Sequence, residues 1–236
     1  MHITLSPRWS EHYPRAGVGV LAITGLQNPK SDAELERTKG ELEASLRQRY
    51  LAGGKAAIRA LPVMQSYAAY YRKFGKSYHV QLQTESVVLQ GKSLPSVSAL
   101  VDTMFIAELK NGLLTAGHDL DAVHPPLIID VAHGEKSYTM MNGKEQTLKT
   151  GDMCMCDTVG VISSVLYGPD ARTRISATTT SALFVVYAPE GISRNLVLQH
   201  LTEIQVSSQR IAPSGQITLL DFFGFSDLLR PPHQSP

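Results

Sequence analysis

The sequence predicts an α+β fold, with a mainly helical front and a strand-rich back. Three observations carry this expectation. Between residues 31 and 112 apolar side chains recur at helical spacing, and the stretches are closed by Gly53-Gly54 and by Gly112. After Pro125-Pro126 the chain breaks into short runs separated by Gly, Asn and Asp: LIIDVA, KSYTMMNG, GDMCMCD, VGVISSVLYG, RTRISATTT and SALFVVYA. Finally, 236 residues of which 43% are apolar and 18% charged suit one large domain or two small ones, with a core that needs no disulfide or metal staple.

Taken in order, GVGVLAIT at residues 17–24 is short, β-branched and closed by Gly25, which reads as a buried strand. Ser31 followed by Glu34 has capping-box spacing, and Asp32, Glu34 and Glu36 suit the first turn of a helix running to about residue 50. A second helical pattern spans 55–74, with Pro62 expected to break or kink it near its first third. On that pattern Met64, Tyr67, Tyr71 and Phe74 share one side, and Lys55, Arg59, Lys73 and Lys76 the other. A further helix is expected in SVSALVDTMFIAELKNG, ending at Gly112. Residues 126–188 read as mostly sheet, with Asn142-Gly143 marking a hairpin. A last helix is expected over about 193–206, followed by a frayed tail. The simplest organisation is one domain over 55–210, a strand-helix lead-in over 1–54 and a C-terminal tail over 211–236.

The net charge of +1, from 22 Lys+Arg against 21 Asp+Glu, argues against a nucleic-acid partner only if position is ignored. The 41 residues from Ala44 to Thr84 hold no acid, seven bases and six aromatic residues, Tyr50, Tyr67, Tyr70, Tyr71, Phe74 and Tyr78. An ordinary solvated helix face carries both signs, so this segment is a candidate polynucleotide contact through Lys55, Arg59, Arg72, Lys73 and Lys76. Two cysteines and the absence of any run of roughly 20 apolar residues point to a reducing, cytoplasmic setting without a membrane span.

Catalytic motifs are sparse. Gly53-Gly54-Lys55 lacks the flanking residues of a phosphate loop, and neither GxSxG nor HExxH occurs. Cys154 and Cys156 alternate with methionines on an expected strand and read as buried structural residues rather than metal ligands. The densest set of acid-base side chains is His118, Asp119, Asp121 and His124 in TAGHDLDAVHPP, which suits turn-capping and surface roles or catalysis. Arg172 and Arg174, two apart, would share a strand face able to meet a phosphate, a carboxylate or the sheet's own acids. Nothing here calls for a cofactor or a metal.

The order of these pieces resembles the B3/B4 domain of the beta subunit of phenylalanyl-tRNA synthetase. LPSVSALVDTMFIAEL, GHDLD, AHGEKSYTMMNGKEQTL, GDMCMCD and LYGPDARTRISATTTSALFVVYAPEGI follow the family's succession over about residues 92–195, with 17 residues from Asp102 to Asp119. The resemblance implies an α+β domain with a β-sandwich core whose task is hydrolysis of the ester of a mischarged tRNA, free-standing copies acting in trans or binding tRNA. Asp102, Asp119, Gly134, Glu135, Gly143, Asp157 and Gly168 match the family pattern, and a later threonine falls among residues 178–180. The family's Thr-Asn pair falls on Met104 and Phe105, its His on Ala116, two residues before His118, and its last Glu on Tyr187. Carried over, these positions imply a substrate pocket of Ser98, Met104, Phe105, Arg172, Thr178, Thr180 and Tyr187. Within it His118 would deprotonate a water, and Asp102 or Glu135 would orient it. Three functions compete: a trans-acting aminoacyl-tRNA deacylase, a non-catalytic RNA-binding module, and a binder of a small amino-acid-like molecule. Oligomeric state is left open.

Overall fold

The computed structural model describes residues 1–134 and 136–224. Strand β1 (Ile3–Leu5) and helix α1 (Pro7–His12) lead into β2 (Gly17–Thr24), which is buried along nearly its whole length. Burial on both faces explains an apolar run with no polar alternation.

Helix α2 (Ala33–Tyr50) is capped by Asp32, not by Ser31 as the sequence suggested. The Asp32 backbone is extended and its carboxylate accepts the Leu35 N–H at 2.9 Å, so the helix starts one residue later while Glu34 and Glu36 keep their places in the first turn. The expected kinked helix over 55–74 is two helices, α3 (Gly54–Arg59) and α4 (Pro62–Arg72). Pro62 opens the second, and Leu61 before it is held in the extended region, which ends the first. Helix α5 (His79–Gln90) was not expected: its N-cap residue Tyr78 makes no capping bond, and its buried side includes Thr84 and Glu85 beside valines. Helix α6 (Ala99–Asn111) stops where Gly112 adopts φ 68°, and a Cβ there would stand 2.9 Å from Val63 Cγ1.

Strands β3 (Thr115–Asp119), β4 (Leu127–Val131), β5 (Ser137–Thr139), β6 (Glu145–Thr147), β7 (Met153–Cys156), β8 (Val161–Ser164), β9 (Gly168–Pro169) and β10 (Ala182–Ala188) follow. Helix α7 (Arg194–Ile211) and strand β11 (Gln216–Gly224) complete the described chain. One sheet has the order β1-β4-β7-β8-β9, a second β11-β2-β10-β3, and β5-β6 form the hairpin around Asn142-Gly143, with Ser137 opposite Thr147. The two larger sheets share one apolar core and are tied by Tyr187 of β10 to Ser163 of β8, hydroxyl to hydroxyl at 2.8 Å. Helix α7 covers the second sheet so closely that a Cβ on Gly19 would lie 2.3 Å from Val197 Cγ1. Among the described residues no helix is long and apolar enough to cross a membrane.

Two expectations about the back of the chain are corrected. RTRISATTT is an irregular loop that forms no ladder, only an isolated β-bridge from Arg174 to His118. Its side chains take over the backbone groups a ladder would use: Asp170 Oδ1 accepts the Thr173 N–H at 3.1 Å, and Thr179 Oγ1 accepts the Ser176 N–H at 2.9 Å. Beyond α7, residues 216–224 are not frayed. They form the edge strand β11 paired with β2, and the Phe222 ring occupies the space over Gly17.

Candidate functional site

A cavity of about 290 Å³ opens between α6, β3 and the β8–β9 turn, close to the lower end of ordinary ligand pockets. Its walls are apolar: Val101, Met104 and Phe105 from α6, Leu114 and Ala116 at β3, and Ile175 from the loop. His79 and Gln83 of α5 and Met141 of the hairpin, half exposed at 51%, bring it to the surface. Met104, Phe105 and Ala116, where the family pattern has hydroxyl, amide and imidazole, thus stand together with Tyr187 around one cavity.

Glu108 also lines it, and sequence reasoning missed this residue. Only 4% exposed, its carboxyl takes the Thr115 N–H on Oε1 at 2.7 Å, and burial pushes its pKa up to about 8. Behind it, Thr115 Oγ1 meets His200 Nε2 at 2.7 Å. A signal was available: Val101, Phe105 and Glu108 are spaced i, i+4, i+7, which sets the acid on an apolar helix face. His79 was missed with its helix. The Tyr71 hydroxyl gives its proton to Val165 O at 2.6 Å, so at 3.2 Å from His79 Nδ1 it can only accept; Nδ1 carries the proton and Nε2 is the free base.

The remaining candidates are elsewhere. Asp102 is fully buried and ion-paired with Lys39 at 2.7 Å, while its Oδ1 accepts the Val97 N–H. It ties α6 to α2 and does not reach the cavity, so its proposed partnership with His118 is not formed. His118 is fully buried, with Nδ1 at 2.8 Å from Thr173 Oγ1, and burial, reinforced by Arg172, lowers its pKa to about 3. Such a ring stays neutral, and it is not part of the cavity lining. Ser98 is the N-cap of α6, and Thr178 and Thr180 are exposed in the loop. Arg172 is committed to Asp157 at 2.8 Å and to Ala122 O at 2.7 Å. None of these four lines the cavity. Glu135 lies outside the described residues.

The acid-free segment divides in two. Glu85, just past its end, pairs with Arg59 at 2.9 Å and Lys55 at 3.8 Å, which neutralises the α3 half. Arg72, Lys73 and Lys76 carry no ion pair among the described residues; Lys73 lies over the Tyr13 ring at 5.5 Å and Lys76 over Tyr167 at 4.3 Å. Gly168 and Pro169, which follow Tyr167 in the chain, line the cavity, so Lys76 stands beside it, while Lys73 and Tyr13 line a separate depression. Arg59, Arg72 and Lys76 line an open groove on the same side. Four of the segment's five tyrosines are not available to stack on bases, Tyr50 being partly exposed. Tyr67, Tyr70, Tyr71 and Tyr78 are buried struts, with Tyr67 bonded to Tyr187 O at 2.6 Å and Tyr78 to Gly112 O at 2.9 Å.

No curated protein matches the sequence. Among solved structures, an N-terminal fragment of the phenylalanyl-tRNA synthetase beta-subunit from Pyrococcus horikoshii is similar at a TM-score of 0.49 and 13% identity. The match covers 92% of this chain and 50% of that one, so the chain spans about half the length of that fragment. The model of the B3/4 domain family matches residues 66–210, more than half of the sequence, and the chain therefore belongs to the B3/4 domain family.

Proposed function

We propose that this B3/4 domain binds the aminoacyl end of tRNA and hydrolyses its ester, with the amino acid's apolar side chain in the cavity and phosphates on Arg72, Lys73 and Lys76. The observation that supports this reading is the adjacency of an apolar cavity to Lys76, which with Arg72 and Lys73 belongs to a run of cations carrying no ion pair among the described residues. An aminoacyl ester is already an activated acyl group, so a protein nucleophile is unnecessary. A base that deprotonates one positioned water is enough, and such a base contributes roughly 10²- to 10⁴-fold. In this reading His79 takes that role in place of His118, because its free Nε2 belongs to a ring that lines the cavity, as His118 does not.

A panel of tRNAs charged with apolar amino acids tests the reading. The expected result is deacylation of at least one faster than in buffer, lost in His79→Gln. Binding should weaken with salt at a log-log slope of about −2 to −3, as for three phosphate contacts. Absence of any acceleration removes the enzymatic claim. The withdrawal of His118 and Asp102 into the interior favours, as a second reading, a non-catalytic tRNA-binding module. Tight, salt-sensitive binding without turnover would select it.

A further inference from the structure

Among the described residues lining the cavity Glu108 is the single acid, and its surroundings leave it incompletely served. Oε1 holds the Thr115 N–H, Thr115 Oγ1 is engaged by His200, and the Tyr187 hydroxyl is engaged by Ser163. Deep in the wall Thr115 and Tyr187 are thus satisfied, whereas Oε2 is left to an occupant; His79 Nε2 and the Gln83 amide lie at the mouth. We infer that the cavity binds a primary ammonium group carried on an apolar stem, with Glu108 as its counter-ion; this specificity rests on the reading of the cavity as an aminoacyl site.

The physical case is one of unmatched charge. A carboxylate buried among Met104, Phe105 and Ile175 has no Lys or Arg among the described lining residues to balance it, so the fold favours its protonated form. An ammonium ion supplies the missing charge and donors, whereas its aliphatic stem replaces water along the apolar wall. A neutral alcohol of the same shape offers only one hydrogen bond. The other titratable groups near Glu108 are the Tyr67, Tyr71 and Tyr78 phenols of α4 and the α5 N-cap, His79 of α5 at the mouth, His200 of α7 behind Thr115, and Tyr187 of β10. Burial pushes the phenols up, His200 down to about 4 and His79 below its ordinary value, so all of these stay neutral between pH 7 and 9. The ammonium can belong to the α-amine of an apolar aminoacyl group or to the side-chain end of a lysine-like residue.

Calorimetric titration of the full chain with n-pentylamine and with n-pentanol separates charge from shape. At pH 8 the amine is expected to bind at least about tenfold more tightly than the alcohol. Its affinity should rise about tenfold from pH 6 to 7 and level off above about 8, since binding needs the ionised carboxyl. Glu108→Gln, which keeps an acceptor for the Thr115 N–H, should abolish the amine preference and retain the alcohol. Equal binding of the two probes by the native protein, or unchanged amine binding in the variant, overturns the inference. If the variant does not fold, pH-independent amine binding by the native chain does so alone. L-Leucinamide against Nα-acetyl-L-lysinamide then identifies the source: the first reads the α-amine, the second the side-chain amine, and binding of neither overturns the site. No probe contains a nucleotide, so failure here leaves the tRNA assay standing, and a negative tRNA assay leaves this one standing.

Discussion

Asp102 shows how a residue type that suits catalysis can serve the interior instead. It is fully buried against Lys39, whose side chain also reaches Glu36 at 2.8 Å and Ser96 at 2.9 Å. Removing one partner of a buried pair strands the other charge, so Asp102→Ala should cost about 3–5 kcal/mol of stability by urea denaturation. If the site reading is right, the variant's ester hydrolysis, measured where it is still folded, should be unchanged. His118→Gln should likewise leave turnover near the native value, whereas a loss of 10²-fold would return His118 to the reacting centre. Met104, Phe105, Ala116 and Tyr187 were legible as pocket positions through the family pattern. Glu108 was hidden because its spacing is as compatible with a solvated acid as with a buried one, and only packing against β3 decides between them.

At the level of elements, the charge pattern of residues 44–84 was readable but its partners were not. Glu43 and Glu85 bracket the acid-free run and fold back on it: Glu43 bonds Arg47 at 3.1 Å, and Glu85 holds Arg59 and Lys55. Reversal of Arg72, Lys73 and Lys76 to Glu should therefore abolish RNA binding in a filter or anisotropy assay without shifting the melting temperature appreciably. Reversal of Lys55 and Arg59 should act the other way: it leaves buried Glu85 facing like charge and should lower the melting temperature, with a smaller effect on RNA. Equal effects of the two reversals on RNA binding would refute this division of the segment. Helix α2, helix α6 and the Asn-Gly hairpin were legible because their caps, periodicity and turn residues are local. Helix α5 and strand β11 were not, because each is stabilised by what covers it: Val80 lies in the main core, and β11 completes the sheet beside β2.

Across the whole molecule, buried titratable groups set the pH dependence of stability. His118 and His200, lowered to about 3 and about 4 by burial, bind fewer protons folded than unfolded below pH 6.5, so their contribution is lost as pH falls through that range. Glu108 and Asp152, raised to about 8 and about 7 by burial, bind more protons folded than unfolded. Their contribution is lost as pH rises through the interval from about 4 to 8. The two pairs oppose each other between about pH 4.5 and 6.5, where denaturation midpoints should be nearly flat. Stability should decline from about pH 6.5 to 7; above that Cys156, lowered to about 7 by its hydrogen bond with Cys154, binds fewer protons folded than unfolded and opposes Glu108, so the midpoint should flatten, and Glu108→Gln should turn that plateau into a rise. A midpoint that rises between pH 6.5 and 8 would contradict this assignment. The sequence alone determined the α+β order, the glycine stop of α6, the Asn-Gly turn, the polarised charge and the family pattern, since these are written in local residue types and their order along the chain. Tertiary structure alone decided which acid faces the cavity, which histidine lines it, and which cations remain unpaired. Each of those depends on desolvation and on partners drawn from distant parts of the chain, a quantity that spacing along the sequence does not contain.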